Sequence, residues 1–142
     1  MKNIKAWFSI IAISLLLTRS LRAAEQKVWY DEAREIPLWE QGYSREYQSI
    51  IYSESPHLKA PKQVLTDRII VVFHQDINLP ELEVFMQRYG LSLVKKAGVG
   101  TATYLFKAEG DKENSLQTAN MIYKSGAVKA AYPDWLSLLK NP

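Results

Sequence analysis

Four consecutive β-branched residues, Ile69-Ile70-Val71-Val72, framed by Arg68 and by Phe73-His74, constrain this chain more than any other stretch. Such side chains are stiff at χ1 and pack well on a pleated surface, so the run predicts a strand over 68–74. It is apolar on both of its alternating faces, as in a central strand with material packed on each side of its sheet.

The next segments are punctuated clearly. Pro80 sits where a first helical turn tolerates it, and Leu82, Phe85, Met86 and Tyr89 fall at i, i+3, i+4 and i+7, one apolar stripe ended by Gly90. Residues 91–97 and 101–108 read as strands joined by the tight turn Gly98-Val99-Gly100, a hairpin. Gly110 and Asp111 break the chain before a second helix over 112–125, with Leu116, Ala119, Ile122 and Tyr123 on one face. A short strand over 127–132 precedes Pro133. The order predicts an α+β fold, a ferredoxin-like β-α-β-β-α-β antiparallel sheet with two helices on one face. The other face of the strand 69–73 then either meets water as a partner surface or is covered by the chain before Asp67.

That preceding chain differs in composition. Residues 24–66 carry Trp29, Tyr30, Trp39, Tyr43, Tyr47 and Tyr52 among many charges, with Pro37, Pro56 and Pro61 as breakers. The expectation is an aromatic-rich N-terminal extension, with a short helix or strand over 44–52 and a linker over 53–62. Before it, Lys2 and Lys5 lead an uncharged apolar run over 6–17 that is too short for the ~20 residues of a membrane span. Residues 1–23 therefore read as a signal peptide cut after Ala23, giving a periplasmic or secreted protein with no membrane association after its removal. Losing Lys2, Lys5, Arg19 and Arg22 takes 18 basic residues to 14 against 15 acidic ones, so the basic pI of the precursor does not argue for nucleic acid. With no cysteine there is neither a disulfide framework nor a lipid-acceptor thiol. The mature length suits one modest domain, placed at 67–135 with a tail over 136–142.

Material for catalysis is sparse. The histidines are His57, beside prolines, and His74, at a strand end. His74 and Asp76 share a side of an extended segment but have no serine nucleophile in a recognisable elbow. Neither histidine has the spaced thiol or acidic partners of a metal site, and Gly98 and Gly100 lack the spacing of a phosphate loop. Glu109, Asp111 and Glu113 cluster at a turn and helix start, where negative charge suits the helix dipole. No enzyme, cofactor or metal is expected.

Residues 67–135 resemble the propeptide domains of subtilisin-like proteases, the peptidase inhibitor I9 type. The resemblance rests on the opening strand Arg68-Ile69-Ile70-Val71-Val72-Phe73, on Tyr89-Gly90-Leu91, on the Gly98-Val99-Gly100 hairpin and on the closing Val128-Lys129-Ala130-Ala131-Tyr132-Pro133-Asp134. Tyr132 stands where the family usually has an acidic residue. The resemblance implies a free sheet face that docks on two protease helices and a tail that enters the substrate cleft as an added strand. Carried over, Ile69 or Ile70, Val72 and Tyr104 of the hairpin would form the docking face. Trp135, Leu136, Leu138, Leu139 and the terminal Pro142 would belong to the cleft-binding tail, although Asn141-Pro142 is an unusual ending for a residue facing a catalytic serine. Because no protease follows Pro142, the expectation is a stand-alone chaperone or inhibitor of a subtilisin-like serine protease, with the aromatic extension adding contact area. The alternative is a ferredoxin-like adaptor module for another envelope or secreted protein.

Overall fold

A computed structural model describes residues 26–98 and 101–138. The expected signal peptide 1–23, Val99 and Gly100 of the expected turn, and the tail residues Leu139 and Pro142 lie outside the described residues. Among the described residues, ten strands and two helices run in the order β1 (Val28–Asp31), β2 (Arg34–Pro37), β3 (Trp39–Ser44), β4 (Ser49–Ser53), β5 (Lys62–Val64), β6 (Arg68–Phe73), α1 (Leu79–Tyr89), β7 (Leu91–Ala97), β8 (Thr103–Ala108), α2 (Lys112–Lys124), β9 (Val128–Pro133) and β10 (Leu136–Leu138).

Both helices are bounded by local chemistry. The Asn78 side chain accepts from the Glu81 N–H and Pro80 lies in the first turn of α1, while Gly90, at φ 63°, closes that helix by donating to the Met86 carbonyl. Asp111 caps α2 by accepting from the Asn114 N–H. A side chain at Gly90 would be held in the left-handed region, which only glycine enters without cost.

β6 is central in an antiparallel sheet of order β7-β8-β6-β9. Ile69, Val71 and Phe73 point to one side of it and pack with Leu82 of α1, Ala119 and Ile122 of α2, and Tyr104 and Phe106 of β8. This is the larger of two cores.

The expected single ferredoxin-like sheet, with two helices on one face and an aromatic arm before it, does not describe the chain. The described residues form three sheets, because the extension folds into strands of its own. β1 and β2 make a two-stranded ribbon, and β3, β4 and β5 join β10 in a four-stranded sheet of order β10-β5-β4-β3. The physical reason is that the aromatic residues of the extension have enough partners to close a second core. Tyr52 is fully buried there, Leu38 and Leu65 nearly so, with Trp29, Ile50 and Trp135 packed around them. The 44–52 stretch resolves as the turn and strand of the β3–β4 hairpin, with Gln48 at φ 49° just before β4.

α2 serves both cores. Ala119 and Ile122 face the larger one, and Leu116 faces the smaller. The ribbon is fastened to the same helix: Asn120 donates to the Val28 carbonyl at 2.8 Å, and Tyr30 stacks on Tyr123 with ring centroids 4.6 Å apart.

Candidate functional site

Alternation along β6 separates a sealed face from a partly covered one. Ile69 and Val71 have no exposed surface, whereas Ile70 and Val72 are only half-buried. Residues directly opposed in an antiparallel pair share a face. Ile70 opposes Leu105 of β8 and Tyr132 of β9, and Val72 opposes Thr103 and Ala130. The face turned away from the larger core thus carries the partly buried Ile70, Val72 and Tyr132 around Leu105 and Ala130, which are themselves buried. Its margin toward β7 and β8 is basic, since Arg68 opposes Lys107, Lys95 opposes Leu105, and all three cationic side chains are exposed, whereas Asp31, Glu32 and Asp134 lie near Tyr132 at the β9 margin. Lys107 lies 3.8 Å from Asp67.

The ribbon laps the β9 margin of this face. Trp29 meets Tyr132 edge-on at 6.1 Å between centroids. Burial, followed by the nearby charges of Asp31, Asp134 and Glu32, raises the pKa of the Tyr132 hydroxyl above its usual value. Beside it, a cavity of about 370 Å³ is lined by Asp31, Glu32, Val72, Tyr123, Lys129 and Tyr132, among others.

Tyr104 does not belong to the partly covered face. It opposes Val71, not Ile70 or Val72, and is buried on the helix side, 5.5 Å from the Phe73 ring and 6.0 Å from that of Phe106. Its assignment failed because strand parity depends on register, which the periodicity of one strand does not supply. The same parity identifies Leu105 and Tyr132 as members of the face, which the sequence left out.

The tail is also placed differently from a free arm. Trp135 packs in the smaller core, 6.0 Å from Trp29 and 6.0 Å from Tyr52. Leu136 and Leu138 lie in β10, opposing Val64 and Lys62 of β5, and Leu136 remains exposed. Leu139 and Pro142 fall outside the described residues.

A polar clasp joins the extension to α2. The Tyr52 hydroxyl lies 2.8 and 2.9 Å from the two carboxylate oxygens of Glu113, and Lys27 donates to Tyr52 at 2.9 Å and to Glu113 at 3.3 Å. Burial pushes the Tyr52 hydroxyl up to about 12; Glu113 reinforces that shift and Lys27 opposes it. For Lys27, burial works downward, but the hydrogen bond to Tyr52 and the charge of Glu113 outweigh it and raise the pKa. Each of the three groups has a partner, so the cluster reads as a fastening. His74 is exposed, with Nε2 3.4 Å from the Gly126 carbonyl. Among the described residues no group of three or more His, Asp or Glu side chains is placed to hold a metal ion.

No family model matches this chain, and neither a curated protein nor a solved structure matches it.

Proposed function

We propose that this chain is an exported binding protein that engages a subtilisin-like serine protease as chaperone and inhibitor, docking through the outer face of the β7-β8-β6-β9 sheet. The observation that carries this is the partly buried pair Ile70 and Val72 on a strand whose alternate residues Ile69 and Val71 are completely buried. A sheet face with an apolar centre and one basic margin favours a partner surface that is apolar at its middle and acidic where it meets β7 and β8.

The apolar centre is small for this task. A standard interface covers ~800 Å² on each partner, more than Ile70, Val72, Leu105 and Tyr132 supply. The basic margin, the ribbon turn around Glu32 and the tail must therefore contribute contact area. As a chaperone, the chain would offer a preformed sheet against which the protease builds its slow non-local contacts.

The test is to mix the mature chain with subtilisin and a panel of related proteases, following residual activity and recovery of activity after denaturation. Inhibition or rescued refolding at submicromolar concentration supports the proposal. A folded chain without effect on any of them points instead to an adaptor for another envelope protein.

A further inference from the structure

β10 is a three-residue strand at the outer edge of its sheet, paired only with β5 through Leu136 with Val64, Ser137 with Gln63 and Leu138 with Lys62. Short edge strands are the least secured part of any sheet, because one row of their backbone groups already faces solvent. Leu136 and Ser137 are exposed, so little apolar surface holds this strand in place. The seam also carries two polar atoms with no hydrogen-bond partner among the described residues: the Gln63 amide nitrogen, on the β5 residue that opposes Ser137, and the Trp135 indole nitrogen, immediately before β10. Buried groups left unpaired are costly, and opening the seam lets the Gln63 amide bond to water.

From this geometry we infer that β5 is a holding strand, keeping residues 136–138 in store until a partner takes them. The inference rests on the reading of the chain as a protease inhibitor and adds its regulation: residues 136–138 of the segment that would enter the cleft are already paired as an added strand on β5. A cleft that pairs with the row of backbone groups facing β5 then competes with β5–β10 pairing. Trp135 stays packed between Trp29 and Tyr52 and acts as the anchor about which the strand swings out. The extension is in this view a latch that sets how readily the tail is released.

The chain has no cysteine, so a single engineered pair can lock the seam. In the Gln63→Cys/Ser137→Cys variant the two residues are directly opposed, a separation a disulfide can span. Inhibition of subtilisin by the oxidised variant is expected to fall at least tenfold and to return on reduction. Equal inhibition by the oxidised and reduced forms overturns the inference while leaving the inhibitor reading intact. Amide exchange in the wild-type chain decides the matter without a protease. The amides of residues 136–138 are expected to exchange at least a hundredfold faster than those of β6, and equal protection of the two strands overturns the latch. If neither wild type nor reduced variant inhibits any subtilase, the inhibitor reading falls, whatever the exchange rates show.

Discussion

Tyr52 and Glu113, 61 residues apart, meet at 2.8 Å, tying the extension to the first turn of α2. The Tyr52 ring is completely buried and also carries the edge of Trp135, so this one side chain connects β4, α2 and the segment leading into β10. Glu113→Ala leaves the Tyr52 hydroxyl without its acceptor and Lys27 without one of its carboxylates. The expected loss is on the order of 1–3 kcal/mol, read as several degrees in Tm by thermal denaturation. Glu113→Gln, which keeps an acceptor oxygen, should cost less.

The clasp also has a pH signature. Tyr52, and with it Lys27, binds its proton more tightly in the folded chain than in the unfolded one, so the stabilisation is complete below the ordinary tyrosine value of 10.0 and is lost as pH climbs toward about 12. The stability difference between wild type and Tyr52→Phe, measured by urea unfolding, should be constant below pH ~10 and shrink above it. A difference that stays flat across that alkaline window contradicts the assignment.

Because α2 is shared, the two cores should unfold together in the wild type. Trp29, Trp39 and Trp135 all sit on or beside strands of the two smaller sheets, so fluorescence of the mature chain reports that half. Leu116→Ala removes the α2 residue of the smaller core at a cost of ~2–5 kcal/mol. Its fluorescence midpoint should drop below the circular-dichroism midpoint, whereas the two coincide in wild type.

Legibility in the sequence followed the length of each periodic segment. The stripe Leu82, Phe85, Met86 and Tyr89 and the run Ile69-Ile70-Val71-Val72 are long enough for periodicity and caps to agree, and they are found as α1 and β6. The extension hid its strands because they mix aromatic with charged and polar residues, without the unbroken β-branched run of β6. Tyr52 and Trp135 reveal their role only when brought together from 83 positions apart, and no local pattern carries that. That Ile70 and Val72 share a face was legible from alternation alone, whereas the placement of Tyr104 on the helix side and of Tyr132 beside Ile70 depends on cross-strand register.

The basic margin should govern association more than affinity. Arg68→Glu/Lys95→Glu reverses two exposed charges without entering either core. Association with a subtilase is expected to slow about tenfold at low ionic strength, with the difference from wild type fading as salt screens the margin. Stopped-flow inhibition over a salt series measures this.

The central claim is that the outer sheet face is the docking surface, and the most direct measurement is inhibition of subtilisin by Ile70→Thr/Val72→Thr. Threonine keeps the branched shape a strand favours while making both half-buried positions polar. The account predicts an inhibition constant raised at least tenfold with a Tm within a few degrees of wild type. A folded double variant that inhibits as well as the wild-type chain would contradict it.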